Sequence, residues 1–267
     1  MTREVTLALV KIVPERLELR RNWERLERVL GRLAERDEQV DCVVTPECYL
    51  DGYVCSMKKG WTESIFEQVA QSLDDSLYLA QAREWARRLR SNLVLGFVER
   101  RQDGFYNAAA LLDREGGIAG VYHKTHLQRH DLRFRPGRGL QPFDTDLGMT
   151  GIVICADRRW PETVRALRLQ GAELIVIPSY GMWHLSNEWW MRTRAYENEC
   201  FVAFAHPHVG FIASPNGELV AKLQSNSDDV LVHRIDLDDC RTTMIDDRRP
   251  ELYGPITDRQ PGAARKG

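Results

Sequence analysis

Residues 5–13 are apolar nearly throughout, and so are residues 40–44; between them lies a stretch of a different period. A strand covered on both faces reads as a continuous apolar run, whereas one with a solvated face alternates. In the intervening stretch Trp23, Leu26, Leu30 and Leu33 fall at helical spacing, with Arg and Glu among them. That pattern is an amphipathic helix covering one face of a sheet. Strand, helix, strand in this order predicts an α/β layered fold.

The rest of the chain extends the pattern. A second amphipathic helix is expected over 77–89. Strands are expected over 93–98 and 105–112, joined across Arg101-Gln102-Asp103-Gly104, and over 118–122 after the turn Arg114-Glu115-Gly116-Gly117. Residues 52–71 have no clean period and read as a loop at the mouth of a site, with Tyr53, Lys58, Lys59, Gly60 and Trp61. Helix 164–169 is closed by Gly171, and strand 174–178 follows. Ser186 reads as the N-cap of a helix bearing Trp189, Trp190 and Ala195. Strands over 201–205, 211–213, 219–223 and 230–235 complete the pattern, with Pro215-Asn216-Gly217 as a turn. Hairpins beside strand–helix–strand units predict a mixed sheet. The tail 258–267 is polar, with Pro, Gly and Arg, and is expected to be disordered. No internal repeat or linker is evident, so residues 1–257 are expected to form a single domain.

Composition excludes several classes. The formal net charge is −2 and charged residues make up 28% of the chain, so charge implies neither a nucleic-acid nor a membrane partner. No apolar run approaches the roughly 20 residues that span a bilayer. The N-terminus enters a strand-like run without a signal pattern, so a cytoplasmic location is expected. Six cysteines show no framework and read as reduced thiols. No CxxC pair is present, which argues against a structural zinc site. No cofactor is expected, and the expected partner is a small-molecule substrate.

The chemistry centres on Gly151-Ile152-Val153-Ile154-Cys155-Ala156-Asp157-Arg158-Arg159-Trp160-Pro161-Glu162. The run is apolar up to a cysteine and then turns into a helix start, where Pro161 and Glu162 suit the first turn. A thiol facing a helix start has nearby N–H groups and a dipole that lower its pKa and can hold an oxyanion. Glu47 and Lys124 also lie at or just past strand ends, where functional groups of layered α/β folds gather. A thiol, a carboxylate base and a fixed ammonium are the groups that acyl transfer at an amide requires.

Three segments together resemble the nitrilase superfamily, the carbon–nitrogen hydrolases: Thr45-Pro46-Glu47, Tyr122-His123-Lys124-Thr125-His126-Leu127, and Ile154-Cys155-Ala156-Asp157-Arg158-Arg159-Trp160-Pro161-Glu162. Tyr106-Asn107-Ala108-Ala109, residues 192–198 and residues 248–253 are similar to further family segments, so the likeness runs nearly the whole chain. The resemblance implies an α/β fold of the nitrilase type, a four-layer α-β-β-α sandwich. It implies Glu47 as general base, Lys124 as cationic stabiliser and Cys155 as nucleophile, with an acyl-enzyme released by water. The Ala156 N–H would share the oxyanion with Lys124. It also implies a homodimer or larger homo-oligomer that buries a helix near the cysteine.

The sequence departs from the family pattern in two places. The family often has a second glutamate between the lysine and a Pro-Gly pair; residues 127–137 contain none, and Asp131 is the nearest acid. The segment 206–214 is shorter than the usual loop there. For the substrate, Arg158-Arg159-Trp160-Pro161-Glu162 is similar to the N-carbamoyl-D-amino-acid amidohydrolase branch, in which an arginine after the cysteine holds a carboxylate. Arg158 or Arg159 is therefore a candidate substrate ligand, against the plainer reading of ion pairs with Asp157 or Glu162. The expected activity is hydrolysis of a small amide or N-carbamoyl compound. Its rivals are a catalytically impaired protein that only binds a small molecule, and a metal hydrolase using His126, His130 and Asp131. Trp183, Trp189 and Trp190 read as core or interface rather than site.

Overall fold

The computed structural model describes residues 3–56, 63–182 and 186–257. The first half of the chain runs β1 (Glu4–Lys11), α1 (Leu19–Ala34), β2 (Cys42–Val44), α2 (Glu63–Val69), α3 (Leu77–Leu89), β3 (Asn92–Arg101), β4 (Gly104–Leu112) and β5 (Ile118–His123). The second half runs β6 (Phe143–Thr145), β7 (Gly148–Ile152), α4 (Pro161–Arg168), β8 (Leu174–Pro178), α5 (Ser186–Asn198), β9 (Phe201–Ala205), β10 (Val209–Ala213), β11 (Leu219–Gln224), β12 (Asp229–Asp236), α6 (Thr243–Asp246) and α7 (Gly254–Thr257).

The strands form two six-stranded sheets, in the orders β12-β1-β2-β3-β4-β5 and β11-β10-β9-β8-β7-β6. Both are mixed, as the hairpins predicted. In the first, β1, β2 and β3 are parallel and β4 and β5 fold back as hairpins. In the second, β7, β8 and β9 are parallel and β10 and β11 fold back. Each sheet also carries an antiparallel strand beside its first parallel strand, β12 beside β1 and β6 beside β7. The two sheets thus share one strand order and orientation, a repeat that shows in the hydrogen-bond pattern and not in the residues.

Strand period explains the layers. Val5, Leu7 and Leu9 of β1 point between the sheets, where they meet Ile152, Leu174, Val176 and Ala203. Ala8, Val10 and Ile12 point the other way, onto Trp23, Leu26, Leu30 and Leu33 of α1 and onto α3. Ile175, Ile177, Val202 and Phe204 pack outward beneath α4 and α5. With apolar side chains on both faces, β1 has no solvated side, which is why its sequence does not alternate. The result is the expected α-β-β-α sandwich.

Several local expectations change. The stretch 52–71 contains α2, and Lys58, Lys59, Gly60 and Trp61 lie outside the described residues. β6 was not anticipated; three residues are too few to give a period. α4 begins at Pro161, the first-turn position expected of that residue, where its missing N–H costs nothing, so only the narrower bounds 164–169 change. Ser186 is the first residue of α5 rather than the residue before it. Trp183 and the tail 258–267 lie outside the described residues, while Trp189 is exposed and Trp190 packs against the layer beneath α5. Among the described residues no helix is long and apolar enough to cross a membrane.

Candidate active site

Glu47, Lys124 and Cys155 arrive from three strands that end on the same side of the sandwich. Glu47 follows β2, Lys124 follows β5 and Cys155 follows β7. β2 and β3 are parallel, and the β3–β4–β5 hairpins return β5 to that direction. Carboxyl ends of parallel strands are where ligand sites of α/β sheets form. The turn after β2 passes so close to β3 that a Cβ on Gly96 would stand 2.3 Å from the Pro46 carbonyl oxygen. Only glycine allows that approach, and the Gly96 N–H donates to Thr45 Oγ1 at 2.9 Å, fixing the start of the turn that presents Glu47.

All three side chains are buried, Glu47 at 0%, Lys124 at 1% and Cys155 at 3% exposure. Lys124 Nζ donates to Glu47 Oε1 at 2.8 Å and to Asp131 Oδ2 at 2.6 Å. Asn107 Nδ2 also donates to Glu47 Oε1 at 2.8 Å. Glu47 Oε1 is thereby occupied, while Oε2 has no hydrogen-bond partner among the described residues and is free to act as a base. Burial by itself favours the neutral amine. The negative charges of Glu47, Cys155 and Asp131 outweigh it and hold the Lys124 pKa well above the ordinary lysine value. Lys124 is therefore a permanent cation with one N–H left over for an oxyanion.

Cys155 opens the 3-10 turn Cys155–Arg159 with φ +47°, a left-handed conformation that costs a non-glycine residue on the order of 1–3 kcal/mol. Cys48 and Tyr53, on the segment after Glu47, are also at positive φ. Such backbone states persist where the surroundings over-determine them, and here they surround one group of side chains. Tyr53 stacks on Tyr180 with ring centroids 4.1 Å apart, and its hydroxyl lies 3.1 Å from His130 Nε2. Burial, then the charges of Glu47 and Cys155, push the Tyr53 pKa far up, so it stays a neutral phenol. Ala156 stands at the first turn, where an N–H has no partner within the helix.

The two arginines part company. Arg158 is 1% exposed and enters the site: Nη1 lies 3.3 Å from Cys155 Sγ, and Nε and Nη2 donate to Asn187 Oδ1 at 3.0 and 2.8 Å. Nη2 also reaches the Gly181 carbonyl at 3.1 Å, and the guanidinium carbon lies 5.4 Å from the Phe204 ring centre. Arg159 turns out to the rim, against Met182 Sδ at 2.8 Å and beside the Gln128 amide, whose oxygen accepts from the guanidinium once the amide is turned over. Neither arginine forms an ion pair with Asp157 or Glu162, so the plainer reading fails for both.

Asp157 instead holds the site's frame. Its Oδ1 accepts from Thr125 Oγ1, the His126 N–H and His126 Nδ1, and its Oδ2 from Tyr122 OH and the Ile154 N–H, all between 2.8 and 3.0 Å. One buried carboxylate thus clamps the lysine segment to the cysteine segment. His126 is committed to Asp157 and His130 to Tyr53 and Asp131. No three His, Cys, Asp or Glu side chains among the described residues are grouped to hold a metal.

Sequence reasoning gave Asn107 no role beyond a family-like segment and Asn187 none, took Asp157 only as an ion-pair partner for the arginines, and read His206 as part of a loop. A lone amide inside the apolar run of β4 was the available signal for Asn107. The apolar run ending at His206 was a similar signal. Nothing in the text links Asn187 to Arg158, because their contact is tertiary.

The family model for carbon–nitrogen hydrolases matches residues 6–244. The chain is 30% identical to a nitrilase of Pyrococcus abyssi over 93% of its length and 99% of that protein. It is 27% identical to a citrullinase of Francisella tularensis, covering 88% of this chain and 92% of the relative. A crystal structure of a carbon–nitrogen hydrolase from Helicobacter pylori superposes with a TM-score of 0.83 at 20% identity, covering 96% of this chain and 99% of the other. With a match that spans most of the sequence and a shared two-sheet fold, the chain belongs to the carbon–nitrogen hydrolase family.

Proposed function

We propose that the protein hydrolyses the C–N bond of a small amide or N-carbamoyl compound, with Cys155 as nucleophile, Glu47 as general base and Lys124 as the fixed cation. The observation that carries this is Lys124, buried between Glu47 and Asp131 in the same electrostatic cluster as the Cys155 thiol. Glu47 Oε2 takes the thiol proton as Sγ attacks the carbonyl carbon. The oxyanion settles on Lys124 Nζ and the Ala156 N–H. The intermediate collapses, the C–N bond breaks, and the nitrogen leaves as ammonia or amine with the proton from Glu47. Water, deprotonated by Glu47, then attacks the thioester; the acid departs and the thiol is restored. Asp131 serves as the second acid that fixes Lys124.

Arg158 points to the substrate class. It is a buried guanidinium with no carboxylate partner among the described residues; Cys155 Sγ, 3.3 Å away, balances it only as a thiolate, and a buried charge left unbalanced is costly. A carboxylate on the substrate supplies the missing charge. This agrees with the citrullinase relative, whose name denotes an acid bearing a carbamoylated amine.

The test is ammonia release from a panel of uncharged amides, nitriles and N-carbamoyl amino acids. Wild type is expected to release ammonia with preference for the acids. Cys155→Ala should lose at least about 10⁴-fold in kcat, the scale on which removing a nucleophile acts. Release that survives Cys155→Ala overturns the thiol mechanism, and preference for uncharged amides overturns the role of Arg158.

A further inference from the structure

The surroundings of Arg158 hold polar atoms that the proposed mechanism does not use. His206, the first residue beyond β9, is fully buried, and its Nε2 makes no hydrogen bond of normal geometry among the described residues, although the Tyr180 backbone lies within reach of the ring. Asn187 and Ser179 are fully buried as well, and Asn187 Nδ2 and Ser179 Oγ are unpartnered too. An unpaired buried polar group costs on the order of 1–3 kcal/mol, so a cluster of them needs an explanation.

The fold puts the three together. β8 and β9 pair in parallel with Pro178 opposite Ala205, which brings Ser179 and His206 side by side as the next pair. Strand alternation sends both to the face beneath α5, after Ile175 and Ile177 on one strand and Val202 and Phe204 on the other. On that face the His206 ring stacks on Phe204, centroids 5.8 Å apart, and the Arg158 guanidinium lies over the same Phe204. Asn187, on the first turn of α5, holds Arg158 through Oδ1, which leaves its Nδ2 on the adjoining edge.

The hydrogen atoms can be assigned. His206 Nδ1 accepts from the His208 N–H at 3.1 Å. Burial, with smaller contributions from His208 and Arg158, outweighs the Tyr180 backbone, which favours the charged ring, and lowers the His206 pKa to about 3. The ring is therefore neutral in ordinary buffer, and its one proton sits on Nε2. His206 Nε2 and Asn187 Nδ2 are thus both donors, beside a cation that is itself a donor. Buried donors grouped with no carboxylate among them suit an acceptor-rich group.

We propose that His206 and Asn187 are specificity-determining residues of an acid subsite, each donating a hydrogen bond to the carboxylate that Arg158 neutralises. The proposal rests on the acid reading of Arg158 and deepens it: Arg158 supplies charge, while His206 and Asn187 fix orientation. A carboxylate has lone pairs for all three, whereas a carboxamide in its place offers one oxygen and sets its own N–H groups against the wall.

The experiment compares an N-carbamoyl amino acid with the same compound bearing a carboxamide instead of the carboxylate, in wild type, His206→Phe and His206→Gln. Phe keeps the stack on Phe204 and removes the donor; Gln returns an N–H near the Nε2 position. Wild type should prefer the acid; its failure to do so overturns the acid reading of Arg158 and this inference with it. His206→Phe should raise KM for the acid by about 10-fold or more, leave kcat within about 3-fold, and leave KM for the carboxamide unchanged. His206→Gln should recover most of the loss. Binding of the acid to Cys155→Ala and to Cys155→Ala/His206→Phe, read by calorimetry, gives the same comparison without turnover. A wild type that prefers the acid, with KM and Kd unmoved in a folded His206→Phe, overturns the inference. So does an equal rise in KM for both compounds.

Discussion

Asp131 is one methylene shorter than the glutamate that the family often places near it. The backbone makes up the difference. Asp131 ends the 3-10 turn Arg129–Asp131, whose first N–H groups face its own side chain: Gln128 N–H donates to Oδ2 at 3.2 Å, and Oδ2 still reaches Lys124 at 2.6 Å. A glutamate there would have to push Lys124 or the turn aside. Asp131→Glu is therefore expected to lower kcat by about 10-fold with the protein folded. Asp131→Asn removes one of the two carboxylates that hold Lys124. Breaking a buried pair costs about 3 kcal/mol, so thermal denaturation should fall by roughly 6–12 °C. Steady-state ammonia release should fall by about 100-fold. Equal activity of the Asp131→Asn variant and wild type would remove Asp131 from the site.

Among elements, the joint between the β5 end and the β7 end decides whether three strands make one site. Asp157 accepts five hydrogen bonds, four of them across that joint. Gly137 closes it from the other side: its N–H donates to the Lys124 carbonyl at 2.9 Å, and a Cβ there would stand 2.1 Å from the His123 carbonyl oxygen. Replacing Asp157 by Asn turns one acceptor into a donor that faces donors. Asp157→Asn should therefore lower kcat by about 10-fold or more and lower the melting temperature. Tyr122→Phe removes one bond of the five and should cost about 1 kcal/mol of stability, with activity within about 3-fold. Kinetics and calorimetry on the two variants check the ranking; the reverse order would place the clamp elsewhere.

For the whole molecule, α4 and α5 carry the sandwich's outer face beside the cysteine, and that face is apolar in places. Trp189 and Tyr196, seven residues apart on one side of α5, are 59% and 55% exposed, and Leu169 at the end of α4 is 46% exposed. We propose that this face is where two copies of the chain meet. The Trp189→Glu/Tyr196→Glu pair should shift the mass seen by light scattering from dimer or larger to monomer. A wild type that is monomeric at assay concentration overturns the idea. Because α5 also supplies Asn187, which holds Arg158, the monomeric variant should lose activity on acids as well.

How much was legible in the sequence follows from the range of each interaction. The apolar runs and helical periods of residues 5–44 and 77–122 record which faces are covered, and covering is a property that each element states for itself. The layered fold, the strand ends and the residues Glu47, Lys124 and Cys155 could therefore be read directly, the last with the help of motif likeness. The contacts of Arg158 could not. Its two candidate acids, Asp157 and Glu162, are its neighbours in sequence, and the turn Cys155–Arg159 points it away from both, to Asn187 and the Gly181 carbonyl. Asp157 was free to serve five donors because no arginine occupies it. The repeat of topology between the two sheets was hidden because hydrogen-bond order can recur without any residue recurring. Side-chain type and period determined the layers and the candidate reactive groups; only the tertiary structure decided which buried polar atoms meet and which are left without a partner, since those pairings join residues far apart along the chain.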